Sequence, residues 1–265
     1  MDQPAPFEVY AIRYARHDRN AGANFLGGDP HDVAMPLDYF VWVIAGAERV
    51  YVVDTGFDAV VAARRGRTVM RDPCDVLPML GFDPGQVRDV IVTHLHYDHC
   101  GNHHLFPEAT FHVQDAEMAF ATGRCMCHPV LSQTFEVDDV CAMVRRLYAG
   151  RLSFHDGVDE LAPGLSLHRI GGHTMGLQAV RVWTRRGWVV LASDASHFYA
   201  NMEQGRPFPI IYNLGDMLEG YRTLERLASS HRHIVPGHDP LVLERYPAAK
   251  PGLEGIAVRL DAEPR

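Results

Sequence analysis

The sequence predicts an α/β fold, a layered sandwich of strands and helices, and three observations carry that prediction. Short apolar, β-branched runs bounded by turn residues recur along the chain. Helical patterns lie between them, and several successive strands are close enough in sequence to pair as hairpins. The 265 residues are 47% hydrophobic and 22% charged with 23 Gly and 17 Pro, a composition that excludes disorder, collagen and a disulfide scaffold.

Taken in order, strands are expected at 7–15, 39–45, 49–54, 89–93, 110–113, 165–170, 178–184, 187–193 and 231–235. Helices are expected at 75–80, 115–121, 135–149 and 216–228, the last with Leu218, Tyr221, Leu224 and Leu227 at helical spacing. The stretch 16–38, rich in Gly, Asn, Asp and Pro, reads as a long surface loop. Residues 121–160 interrupt the rhythm with Met126, Cys127 and Pro129, then an amphipathic helix ending at Gly150. They read as a helical insertion over the core, a lid, with an ordinary connecting helix as the alternative. No internal repeat is visible.

The charge balance, 25 Lys+Arg against 33 Asp+Glu for a net of −8, lacks the clustered basic residues that grip nucleic acid by counterion release. The amino terminus has neither a basic nor an apolar signal region, and no apolar run is long enough to span a bilayer. The expectation is a cytoplasmic protein that binds neither nucleic acid nor membrane. Five cysteines without a Cys-x-x-Cys pair read as reduced thiols.

Sixteen histidines matter by where they fall. The apolar run ending at Thr93 is followed by His94-Leu-His96-Tyr-Asp98-His99, three imidazoles and a carboxylate suited to a borderline divalent metal. A chance His-x-His-x-Asp-His match in a chain of this composition is roughly 0.5%. Three more expected strands lead to His173, Asp194 and His238. Sites in layered α/β proteins gather beyond strand carboxyl ends, and the glycines before His173 and His238 allow a tight turn there. Singly, each such histidine is more often an ordinary surface or core residue; the first motif reverses those odds.

Together His94, His96, Asp98, His99, His173, Asp194 and His238, with Asp54-Thr-Gly56 upstream, resemble the metallo-β-lactamase superfamily over roughly residues 39–240. The resemblance implies a four-layer αβ/βα sandwich with a dinuclear metal site at one edge, and one domain over 1–265 with the helical insertion at about 121–160. Asn24-Phe-Leu-Gly-Gly-Asp29, Gly171-Gly-His-Thr-Met-Gly176 and Ser193-Asp-Ala-Ser-His-Phe-Tyr199 are similar to the N-acyl-homoserine lactonase branch. On that likeness His94, His96 and His173 hold one metal, Asp98, His99 and His238 hold the second, and Asp194 bridges them with a hydroxide. Two divalent ions are implied, zinc by default, with iron, manganese or cobalt fitting the same donors. Seven ligands over two metals with one shared also leave open positions for water and substrate, as catalysis requires.

The activity implied is metal-dependent hydrolysis of a small-molecule lactone, an N-acyl-homoserine lactone of the quorum-quenching kind, with Asp98 relaying a proton to the leaving alkoxide. A thioesterase of the glyoxalase II type shares all seven ligands and is the alternative. Against it, only scattered Arg245, Lys250, Arg259 and Arg265 stand at the C-terminal end. A homodimer is left open. Asp54 is either an orienting partner for an imidazole or a turn aspartate. Cys100 stands where many relatives have glycine and reads as a small packed residue. His197 occupies the position of a tyrosine that donates to the substrate oxygen in the lactonase branch. Tyr199 lies two further on, and either is a catalytic candidate. Phe25, Leu26, Met118, Met143, Leu147 and Phe198 are candidates for an acyl groove.

Overall fold

The computed structural model describes residues 3–31 and 33–265. Its strands are β1 (Glu8–His17), β2 (Leu37–Ala45), β3 (Val50–Val53), β4 (Thr68–Val69), β5 (Asp89–Ile91), β6 (Thr110–Gln114), β7 (Leu152–His155), β8 (Val158–Ala162), β9 (Leu165–Arg169), β10 (Gln178–Thr184), β11 (Gly187–Ser193), β12 (Ile234–Pro236) and β13 (Ala257–Arg259). Its helices are α1 (Ala59–Arg65), α2 (Pro73–Leu80), α3 (Tyr97–Cys100), α4 (Asp115–Ala121), α5 (Pro129–Ser132), α6 (Val137–Tyr148), α7 (Tyr199–Gln204), α8 (Leu214–Leu227) and α9 (Leu241–Arg245).

One sheet runs β13-β1-β2-β3-β5-β6-β7 with β4 paired to β1, and the other runs β12-β11-β10-β9-β8. The first is antiparallel from β1 to β3 and parallel from β3 to β7. β2 shows why the sheets stack: all nine of its residues are buried, so both faces are covered. Its Leu37, Tyr39, Val41 and Val43 pack with Ala62 of α1, Leu77 and Leu80 of α2 and Met143 of α6. Its Phe40, Trp42 and Ile44 pack with Leu167, Val180, Val189 and Leu191 of the second sheet. The far face of that sheet meets Tyr221 and Leu224 of α8. The layers are therefore helix, sheet, sheet, helix, the four-layer αβ/βα sandwich.

Local chemistry sets the helix ends. Asp58 accepts from the Val61 N–H to open α1, which closes at Gly66 with φ 65°; Asp72 caps α2, with Pro73 in its first turn.

The expected insertion is shorter than 121–160. Residues 152–155 and 158–162 are β7, paired with β6, and β8, paired with β9, so each extends an edge of a sheet. Their sequences, Leu-Ser-Phe-His and Val-Asp-Glu-Leu-Ala, are too short and polar to show an apolar strand pattern. α6 buries Val140 and Met143 in the core and belongs to the outer helical layer. The expected strand at 231–235 begins with a single turn, His231–His233, before β12. The expected loop at 16–38 is trimmed by β1 and β2 and pinned by an Asn20–Ala34 bridge. Among the described residues no helix is long and apolar enough to cross a membrane.

Candidate metal centre

Both sheets deliver donors at strand carboxyl ends. Asp54 follows β3, His94 follows β5, His173 follows β9, Asp194 follows β11 and His238 follows β12. His96 caps the single-turn helix α3, which places Asp98 and His99 on the same side as His94. The structure brings all seven expected ligands together in buried groups: His94, His96, His173 and Asp194 in one, Asp98, His99 and His238 in another.

The donor atoms converge closely. His96 Nδ1 lies 3.0 Å from both His94 Nε2 and His173 Nε2. Asp194 Oδ2 is 3.2 Å from His173 Nε2 and 3.8 Å from His94 Nε2, while Oδ1 is 2.9 Å from His238 Nε2 and 3.4 Å from His99 Nε2. One carboxylate thus gives one oxygen to each group. Asp98 Oδ2 stands 3.7 and 3.9 Å from the Nε2 atoms of His99 and His238. Four donors about 2.0–2.1 Å from a tetrahedral ion are roughly 3.3 Å apart, so these separations suit an ion in each group. His99 Nε2 and Asp194 Oδ1 are buried without a hydrogen-bond partner, which makes each available to an ion. The donor set fits two divalent metals.

Protonation agrees at His94 and His96. Burial, reinforced by the neighbouring imidazoles, holds His94 and His96 well below the usual histidine range, leaving them neutral, as ligation requires. Burial alone would raise Asp194, but the imidazoles that face it, His238 and His99 among them, outweigh it and keep the carboxyl ionised.

Around these donors a second set of groups fixes the rings. Asp54 accepts from His99 Nδ1 at 2.7 Å, from the Thr93 N–H at 2.7 Å and from Thr93 Oγ1 at 2.8 Å. His173 Nδ1 donates to Ile210 O at 2.8 Å and His238 Nδ1 to Asp38 O at 3.0 Å, so three rings have their outward nitrogen tied down. Thr93 Oγ1 also contacts Ser193 Oγ at 2.9 Å, which joins the end of β5 to the end of β11. Asp54 (φ 61°) and Ser193 (φ 45°) are the non-glycine residues with left-handed backbone among those described, and both sit beside the donors. Gly172, at φ 87°, could not carry a Cβ, which would lie 2.5 Å from Met217 Cα. At Gly237 a Cβ would lie 2.8 Å from Asp194 Oδ1. Cys100 is a fully buried core residue whose Sγ donates to His96 O.

The two candidates near Asp194 separate. His197 Nε2 is 3.0 Å from Asp194 Oδ2, and its ring stacks on Phe208 at 3.7 Å. Burial pushes it down to about 3, so the ring is neutral. A neutral ring has one N–H; given to Asp194, it leaves Nδ1 a bare acceptor, and Nδ1 is indeed without a partner. Because Nδ1 is also buried, donation to a substrate oxygen has to come from the Nε2 N–H that faces Asp194. Tyr199 is not brought to the site: it opens α7, its ring lies under the Arg245 guanidinium and it packs in the core between the sheets. The helical turn at α7 rotates its side chain away from the donors.

A cavity of about 230 Å³ opens over Asp98, Asp194, His197 and His238. Tyr39, Tyr97 and three arginines, Arg19, Arg65 and Arg67, share its wall. Beside His96 and His173 a smaller pocket of about 70 Å³ has an apolar side, formed by Phe120, Val130, Leu131, Pro209, Ile210 and Ile211, and a polar side formed by Gln133 and Thr134. None of the six expected groove residues lines either space. Met118, Met143 and Phe198 are in the core, Phe25 is buried under Arg206, and Leu26 and Leu147 face solvent.

Sequence reasoning missed Glu117, wholly buried in α4, which accepts from the Leu95 N–H at 2.9 Å, Thr174 Oγ1 at 2.6 Å and the Gly176 N–H at 3.0 Å. It ties the His94–His96 loop to the His173 loop. A glutamate two residues into a helix carries no sequence signal of burial. Thr93, one residue before His94, could have been noticed.

The profile of the metallo-beta-lactamase superfamily matches residues 35–243. The chain belongs to the metallo-β-lactamase superfamily. An N-acyl homoserine lactonase of Bacillus sp is 30% identical over 135 residues, 51% of this chain and 48% of that protein; the chain thus aligns with about half the length of such curated relatives. A probable metallo-hydrolase of Mycobacterium tuberculosis is 26% identical over 240 residues, covering 76% of this chain and 74% of its own. Among solved structures, an N-acyl homoserine lactone hydrolase with the product N-hexanoyl-L-homoserine at its catalytic metal centre superposes with a TM-score of 0.73 at 21% identity, over 89% of this chain and 94% of its own. The likeness extends the shared fold beyond the matched sequence.

Proposed function

We propose that this protein is a dinuclear metal-dependent hydrolase that opens the ring of a lactone, of the N-acyl-homoserine lactone class. The observation that carries the reading is Asp194, whose two oxygens face separate imidazole groups beneath a cavity with a partly apolar annex. In this reading His94, His96 and His173 hold one ion, Asp98, His99 and His238 the other, and Asp194 both. Such ions, zinc by default for imidazole and carboxylate donors, supply Lewis acidity and a water nucleophile at neutral pH.

The chain's own residues do the rest. Phe120, Leu131, Ile210 and Ile211 exclude water from an acyl chain, and the modest size of their pocket favours a short one. His197 is the side chain available to the reacting carbonyl and Asp98 the carboxylate available to the departing alkoxide, since both line the same cavity. The lactonase relatives support the substrate class by likeness.

The test is turnover of zinc-loaded protein on N-acyl-homoserine lactones of increasing chain length, with thioesters and phosphodiesters in parallel. Lactone turnover is expected to exceed both, with kcat/KM rising over the first methylenes, each buried one contributing up to ~0.8 kcal/mol. Faster thioester turnover would replace this reading with the thioesterase alternative.

A further inference from the structure

Three guanidinium groups share one wall of the cavity in a chain whose net charge is −8. Arg65 is paired with Glu136, its Nη2 2.7 Å from Oε1, a carboxylate that Arg64 shares at 2.8 Å, and it lies over the Tyr97 ring. Arg19 and Arg67 differ. Among the described residues neither has a carboxylate within ion-pairing distance. Arg67 donates from Nε to the Tyr97 hydroxyl at 3.1 Å and from Nη1 to Arg65 O. Arg19 donates from Nη2 to Ala23 O and sits 4.9 Å over the Phe208 ring.

These contacts go to neutral groups. They fix the direction of each guanidinium and leave part of each donor fork unused. Both side chains are half-buried. Two such cations on one partly dry wall repel each other unless an anion lies between them. The same Phe208 ring stacks on His197, so the basic wall and the reacting centre share a support. The annex lies beside His96 and His173, whereas the arginines share the main cavity with Tyr39, Asp98 and His238.

Resting on the lactone-hydrolase reading above, we propose that the substrate carries an oxyanion, a carboxylate or phosphate separate from the bond that is cut, held by Arg19 and Arg67. A neutral acyl-homoserine lactone would use only the donors and the annex. The substrate class inferred is an amphipathic lactone with an apolar arm and an anionic one. Paired guanidinia bind planar carboxylate or phosphate oxygens through two or more charge-assisted hydrogen bonds.

The test uses the zinc-loaded protein and acyl-γ-lactones that differ at one position only: carboxylate, phosphate or neutral carboxamide. An anionic lactone is expected to be preferred over the carboxamide by about 10- to 100-fold in kcat/KM. The ratio should collapse towards one in Arg19→Gln and Arg67→Gln, survive in Arg19→Lys, and fall in wild type as salt rises. Whichever anion is preferred names the group. A wild-type ratio near one, or a ratio unmoved by both glutamine substitutions, overturns the proposal. If no lactone is turned over, the hydrolase reading fails by itself and binding decides the arginine site. Succinate or phenyl phosphate raising the melting temperature of wild type but not of either glutamine variant supports it, and equal shifts in all three overturn it.

Discussion

Replacing Glu117 with Gln tests how the metal loops are held. The carboxylate accepts three hydrogen bonds, one on Oε1 and two on Oε2. Two of the donors are main-chain N–H groups that cannot turn away. Gln has one acceptor oxygen, so in either orientation its NH2 faces the N–H of Leu95 or of Gly176. The Thr174 hydroxyl can rotate to accept; a peptide N–H cannot. One buried N–H is therefore left unpaired, at about 1–3 kcal/mol. Burial pushes the Glu117 carboxyl up, so a neutral amide recovers part of this by being easier to bury.

The net expectation for Glu117→Gln is a loss of about 1–2 kcal/mol, roughly 2–8 °C in melting temperature for a chain of this size. Because the bonds hold the loops of His94, His96 and His173, metal affinity should fall about 10-fold or more. Thermal unfolding with and without chelator, beside a zinc-binding titration, measures both. A variant matching wild type within 0.5 °C and binding zinc equally would refute the reasoning, since Glu117 would then be an ordinary buried residue.

Asp194→Asn is expected to keep the fold but bind fewer than two metals and lose at least about 100-fold in kcat, because an amide bridges poorly; near wild-type turnover with two metals per chain would remove Asp194 from its role. Tyr199→Phe should leave kcat within about twofold, since its hydroxyl lies away from the cavity, while His197→Phe should lower it by about two orders of magnitude; stopped-flow turnover of one lactone ranks the pair. The Asp139 carboxyl is pushed up to about 7 by burial and by Glu136, Asp138 and Asp58. A carboxyl raised in the folded state destabilises it as pH climbs from the unfolded value near 4 through 7, so Asp139→Asn should raise the melting temperature at pH 8 and hardly at pH 4. After allowance for solvent screening the gain is about 1 kcal/mol, and equal gains at both pH values would contradict it. Chelation should lower the melting temperature of wild type, as expected of ligands that bind only the folded state.

Legibility followed how local each signal was. Residues 178–184, 187–193 and 115–121 fold within the bounds their apolar periods and flanking turns suggested. β7 and β8 were missed because an edge strand need not be apolar. The donors stood out since four of them crowd one turn and the others end strands, so chain order and spatial order coincide. The cavity wall did not, because Arg19 comes from the early loop and Arg65 and Arg67 flank the end of α1. No sequence spacing reports that they meet. The six groove candidates show the converse: apolar side chains in promising segments were used for the core.

The Thr93–Ser193 contact has a consequence for how the molecule comes into being. Everything before residue 157 supplies His94, His96, Asp98 and His99, and everything after it supplies His173, Asp194 and His238. Neither portion alone completes a ligand set: the first lacks the shared carboxylate, and the second brings one imidazole to each ion. A nascent chain thus carries only partial, weak sites, and the choice among cellular metals falls to the finished pocket. A nick between Asp156 and Gly157, in the exposed β7–β8 turn, would leave two fragments that re-form one site, their reassociation tighter in zinc than in chelator. The ions would then act as a clasp between two lengths of chain that are made at different times.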